Sequence, residues 1–154
     1  MTKIKWEEIS HFEGPEQSPG FLLWQVSAEW RRQIEMALAT IELTHPQFVL
    51  LVSLGWLTRK NADITQVELA RHCNTDITMT SQVLRTLEKK GYIIRHQKKG
   101  NERSKFSRVT SKGARLIEQA IPLVESVDKE FFKTLGRNEK KFIEILRELY
   151  KNEP

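Results

Sequence analysis

Between Thr78 and Lys89 the chain carries a set of side chains that can read the edges of base pairs: Thr78, Met79, Ser81, Gln82, Arg85 and Lys89. A glutamine can pair bidentately with adenine, an arginine can read guanine or hold a phosphate, and a threonine or methionine can touch a thymine methyl. Thr80 (through its methyl), Val83, Leu84 and Leu87 fall at i, i+3, i+4 and i+7, the stripe of an amphipathic helix. That stripe leaves Thr78, Gln82, Arg85 and Lys89 on the opposite face, with Met79, Ser81 and Thr86 flanking it. The plain alternative is a solvated helix face with no partner.

Other chemistry is sparse. The chain has no Gly-rich phosphate loop, nucleophile elbow or metal-spaced His/Glu motif, so no catalytic residues, no metal and no cofactor are expected. His11, His45, His72 and His96 show no ligand spacing. His72 is next to Cys73 but points elsewhere on its helix. Cys73 takes an apolar slot before a turn, where a small hydrophobe packs and a buried thiol is inert; a thiol-based sensor acting through it is the weaker reading. His45 lies near a helix start and could line a small-ligand cleft with Trp24, Trp30 and Trp56, although core packing also accounts for these tryptophans.

The elements that must position the reading face lie in Ile64–Gly91. Thr65 and Glu68 have the spacing of a capping box, and Leu69, Ala70 and Cys73 give a narrow apolar face. Asn74 is one of the few non-glycine residues that enters the left-handed conformation cheaply. Asp76 can cap the second helix, and Gly91 ends it. Two short helices with a tight turn between them make a helix-turn-helix, whose second helix is offered to a DNA major groove. Beyond it, Tyr92–Gln97 and Lys105–Val109 flank the turn Lys98-Lys99-Gly100-Asn101, a hairpin signal. Such a two-stranded β wing would carry Lys98, Lys99, Arg103 and Lys105 at or near its tip, a composition suited to phosphates or a minor groove.

Charge agrees with this placement. Arg85–Arg115 holds eleven Lys/Arg against Glu88 and Glu102, a local balance of +9 in a chain whose total is +5. Positive potential is therefore concentrated on one part of the surface, as a polyanion-binding face needs.

Helical patterns flank the winged unit. Residues 1–17 read as an arm or short helix around Trp6, Ile9 and Phe12. Ser18-Pro19 opens a dimerisation helix assigned to 18–43, with Leu23, Val26, Trp30, Ile34, Ala37, Leu38 and Ile41 on one face. Phe21, Leu22, Trp24 and Met36 fall outside that stripe and call for a second partner. Thr44 and Gln47 cap a helix whose buried face reads as Phe48, Leu51, Val52, Trp56 and Leu57. It starts a DNA-binding region over 44–111. C-terminal dimerisation helices fill 112–154. Their stripe runs from Leu116 to Leu135, kinked at Pro122 and stopped at Gly136, with a last helix on Phe142, Ile145, Leu146, Leu149 and Tyr150. The fold class expected is mainly α, a winged helix-turn-helix with flanking dimerisation helices. No apolar run spans a bilayer and no secretory signal is visible, so a cytoplasmic protein without membrane contact is expected.

The chain resembles the MarR family (multiple antibiotic resistance regulators) from about Ser18 onward. The resemblance is carried by LTHPQFVLL from Leu43, TQVELARHC from Thr65, MTSQVLRTLEKKGYI from Met79, and the wing NERSKFSRVTSKG from Asn101. The family's wing reads Asp-x-Arg followed by Thr-x-x-Gly; Arg103, Thr110 and Gly113 match, while Asn101 replaces the Asp and removes one carboxylate. The resemblance implies a homodimeric winged-helix repressor or activator, with a repressor expected here. It would bind a pseudo-palindromic double-stranded DNA operator and be tuned by a small-molecule effector. The alternative from another class is a winged-helix protein-interaction module whose basic face meets an acidic partner.

Overall fold

In the computed structural model, residues 2–60, 62–98 and 100–151 are described, with side chains at all of these except Lys98 and 101–104. A short helix, α1 (Trp6–Ile9), and a 3-10 turn (Pro15–Gln17) precede α2 (Pro19–Ala39). The Ser18 hydroxyl accepts from the Phe21 N–H, and Pro19 takes the first helical position, where its missing N–H costs nothing. In α3 (His45–Thr58) the Thr44 and Gln47 side chains satisfy each other's backbone donors in a complete capping box.

Helix α3 lies at the centre of the molecule. Its Leu50, Leu51 and Leu54 are fully buried with Ile34 and Leu38 of α2 and Leu43 of the connecting loop. The same core takes Leu69 of α4 (Gln66–His72), Leu84 and Leu87 of α5 (Ile77–Lys89), and Leu116, Ala120 and Val124 of α6 (Ser111–Phe131). One expectation about a face is corrected. Of the residues assigned to the buried face of α3, Leu51 is buried, Phe48, Val52 and Leu57 are half-buried, and Trp56 is exposed; Leu50 and Leu54 are the buried pair instead. A helix apolar on nearly every side has no periodicity to select a face, so packing against α5 and α6 selects it. In α2, Leu23 and Val26 are exposed although they share the stripe of Ile34 and Leu38. Only the C-terminal half of α2 is covered by the rest of its own chain.

The sheet is antiparallel, in the order β1 (Ile64–Thr65), β3 (Asn101–Val109), β2 (Ile93–Lys98). The expected two-stranded wing is present as β2 and β3 and gains a third strand, the residue pair just before α4. Ile93 faces Val109 at the base and Lys98 faces Asn101 at the tip, with a register shift after Gln97, so β3 begins four residues before Lys105. Gly100, at φ 88, supplies the left-handed conformation of the turn.

At the wing's base Thr110 caps α6, accepting from the Gly113 N–H at 3.0 Å and donating to the Gly91 carbonyl at 2.7 Å. A Cβ at residue 113 would lie 2.1 Å from the Tyr92 carbonyl oxygen, so only glycine fits there. Helix α6 continues through Pro122 but ends at Phe131, not at Gly136. A 3-10 turn (Lys133–Asn138) with Gly136 at φ 51 follows, and the Phe132 and Phe142 rings meet 5.7 Å apart across it. The last helix, α7 (Glu139–Lys151), has no buried residue. No helix among the described residues is long and apolar enough to cross a membrane.

Candidate nucleic-acid interface

Helices α4 and α5 are fixed to each other by short-range chemistry. The Thr65 hydroxyl and N–H both donate to the Glu68 carboxylate, at 2.7 and 2.8 Å, and the Glu68 N–H donates back to the hydroxyl. These bonds favour the ionised acid and hold Glu68 below the usual carboxylate range. Asn74 turns the chain at φ 50, and the Thr75 N–H donates to the Ala70 carbonyl. Asp76 caps α5 through the Met79 N–H at 2.8 Å. The fully buried Thr80 hydroxyl is within 2.8 Å of the Thr75 hydroxyl and donates to the Asp76 carbonyl. A hydroxyl pair therefore ties the turn to α5, a detail hidden in sequence because Thr80 occupies an apolar position of the stripe.

With that core side fixed, Thr78, Gln82, Arg85 and Lys89 are exposed, and Met79 and Ser81 are half-buried at the margins. The exposed face combines hydroxyl, amide and guanidinium groups with no acidic residue between Thr78 and Arg85. In the wing, Lys105 is exposed on β3 and pairs with Gln97. Lys98 and Arg103 lie in β2 and β3 by their backbones, while their side chains, the Asn101 side chain and Lys99 lie outside what is described.

The wing is braced by a carboxylate from elsewhere in the chain. Asp63, immediately before β1, accepts from Arg108 Nη2 at 2.9 Å and Nε at 3.3 Å, and lies 3.6 Å from His96 Nε2. The Asp63 side chain is only 14% exposed, and the His96 ring stacks on Phe106. A second tie links β2 to both helices. Arg95, 9% exposed, donates from Nη2 to Gln66 Oε1 at 3.2 Å and places Nη1 3.8 Å from the Glu88 carboxylate. Asp63, Arg95 and Arg108 were not singled out from the sequence, where the two arginines counted only toward the basic balance. An acidic residue two places before a capping threonine was the available signal.

The cleft expected from sequence is only partly assembled. Trp30 Nε1 donates to Asp128 Oδ1 at 2.7 Å, and its ring meets His45 edge-on at 5.3 Å, so α2, α3 and α6 converge there. Burial lowers the His45 pKa, with Glu35 acting against the shift and Arg31 reinforcing it. Trp24 and Trp56 are 73% and 59% exposed, and the Trp56 ring carries the Arg59 guanidinium 3.5 Å from its centroid. Cys73 is half-buried, and burial raises its thiol pKa, partly offset by the Ser53 hydroxyl. Among the described residues no group of His, Cys, Asp and Glu could hold a metal ion.

Comparison with known proteins gives consistent matches. The MarR family model matches residues 43–105. The chain is 42% identical over 150 residues to YdcH of Bacillus subtilis, an uncharacterised HTH-type transcriptional regulator, covering 97% of this chain and 100% of the relative. It is 32% identical over 109 residues to an HTH-type transcriptional repressor of Mycobacterium tuberculosis, covering 71% and 76% of the two chains. Among solved structures, a cysteine-to-serine mutant of MarR from Escherichia coli complexed with operator DNA superposes with a TM-score of 0.77 at 27% identity, covering 99% of this chain and 100% of that one. With a winged helix-turn-helix, a basic wing and full-length similarity to a regulator, the chain belongs to the MarR family of DNA-binding transcriptional regulators, not to any class of enzyme.

Proposed function

We propose that this protein is a cytoplasmic homodimeric repressor that reads a pseudo-palindromic operator with one winged helix per half-site and is released by a small molecule. The observation that carries this reading is the uncovered apolar surface of the terminal helices. Helix α7 exposes Ile143, Ile145, Leu146, Leu149 and Tyr150, and α2 exposes Phe21, Leu22, Leu23, Trp24 and Val26. A second copy related by a twofold axis would cover these faces with its own and hold two recognition helices about 34–36 Å apart. In this division residues 1–17 form an arm, 18–43 and 112–154 the dimerisation helices, and 44–111 the DNA-binding region.

Within each half-site Gln82 and Arg85 read base edges, with Thr78, Met79, Ser81 and Lys89 around them, while Lys98, Lys99, Arg103 and Lys105 hold the flanking backbone. Repression is supported by the naming of the mycobacterial relative, and an effector site by the Trp30–His45 contact, which lies where α2, α3 and α6 meet. Selection of genomic fragments with the purified protein at near-physiological salt tests the reading. A palindromic site with salt-steep affinity is expected, because phosphate contacts release counterions. Equal binding to every duplex would overturn it.

A further inference from the structure

Two large apolar residues lie exposed at the N-terminal ends of α4 and α5. Ile77, the first residue of α5, is 47% exposed, and Val67, near the start of α4, is 52% exposed. The two helix starts are adjacent, because Gln66 Nε2 reaches the Ile77 carbonyl at 3.5 Å. Local preference does not account for Ile77, and core packing accounts for only part of its surface. A β-branched residue is a weak helix former, and although Ile77 precedes Thr80 and Leu84 by three and seven residues on the edge of the core stripe, nearly half of it stays uncovered. The other exposed positions of α5 are Thr78, Gln82, Arg85, Glu88 and Lys89, all polar. An isoleucine here is the apolar exception among the exposed residues of α5, in its first turn.

We propose that Ile77 is a specificity-determining residue whose side chain packs on the 5-methyl group of a thymine in each half-site. This rests on the base-reading role proposed for α5. The major groove presents one apolar group, that methyl, and it distinguishes T·A from every other pair in a way that hydrogen-bonding side chains do not sense. Ile77 supplies an aliphatic contact surface, and the N-terminal turn of a recognition helix is the part that approaches base edges. Val67, next to the glutamine that reaches Ile77, extends the apolar edge toward α4.

The test replaces each operator thymine in turn by uracil, which removes the methyl and leaves Watson–Crick pairing intact. Equilibrium binding of the full-length protein is measured by competition, starting from the selected site. For the wild type, one uracil position per half-site should weaken binding about fourfold, the equivalent of one buried methyl. Ile77→Ala should bind the all-thymine site more weakly and lose sensitivity at that position alone, keeping its response to changes opposite Gln82 and Arg85. Ile77→Val, retaining most of the contact, should keep most of the uracil penalty, which separates lost contact from a disturbed helix. A wild type indifferent to uracil at every position, or an Ile77→Ala protein as sensitive as the wild type, would overturn the assignment. No preferred site in the selection would overturn the base-reading role of α5 itself, and this inference with it.

Discussion

Removing the Gln82 amide should change what the protein prefers, whereas removing the Lys105 ammonium should change only how tightly it holds. Both side chains are exposed, one on the recognition helix and one on the wing. If Gln82 pairs with a base edge, Gln82→Ala loses roughly 1–3 kcal/mol of discrimination at one base pair and leaves the others intact. If Lys105 neutralises a phosphate, Lys105→Ala weakens all duplexes alike and lowers the salt slope by about 0.9. Competition against single-base variants at several salt concentrations distinguishes the two patterns. His45 makes a prediction of a different kind. Its pKa is lowered chiefly because partial burial strips water from the imidazolium. The unfolded chain, near 6.5, therefore binds the proton more readily than the folded one. The contribution of neutral His45 is full above about pH 6.5 and is lost as the pH falls toward the lower folded value. His45→Gln should flatten the acid limb of a stability–pH curve measured by urea unfolding; an unchanged limb would assign it to another group.

At the scale of elements, the wing depends on a residue outside its own hairpin. Asp63 joins the loop before β1 to Arg108 on β3, with His96 of β2 alongside, so one carboxylate touches the base of both wing strands. Asp63→Ala should cost about 1 kcal/mol of global stability, since the Arg108 side chain is partly hydrated. Its larger effect should be local, with faster amide exchange across Ile64–Thr65 and Phe106–Ser107 and weaker operator binding, while exchange in α3 stays as in the wild type. The brace was not legible in sequence because its partners are 45 residues apart. The same holds for β1, two residues without a period, and for the buried face of α3, whose apolar positions run nearly all the way round. Helix caps were legible. Ser18, Thr44 with Gln47, Thr65 with Glu68 and Asp76 all cap as their spacing predicts, and Asn74 is left-handed, because each needs only neighbours within four residues. Thr110 and Gly113 could be matched to a pattern from sequence, but the reason for the glycine, the Tyr92 carbonyl 2.1 Å from an added Cβ, exists only in the fold.

At the scale of the whole molecule, apolar surface is unevenly covered. One core joins α3, α4, α5 and α6 to the C-terminal half of α2, whereas α7 buries nothing and the first half of α2 is uncovered. Leu146 and Leu149 of α7 are 41% and 64% exposed, so charge there is tolerated by the isolated chain. In a twofold dimer built on these helices the same positions would be enclosed, and an uncompensated carboxylate would be expensive. Leu146→Glu with Leu149→Glu should therefore leave helicity and the unfolding of the winged unit nearly unchanged while shifting sedimentation from dimer to monomer. Operator binding should fall by about 10²-fold or more, since one recognition helix loses the effective concentration supplied by its tethered partner. A single half-site should still be bound, weakly and at the affinity of the monomer. If the doubly charged protein still sediments as a dimer, or binds the full operator as the wild type does, α7 is not the dimer contact and its apolar face serves another partner.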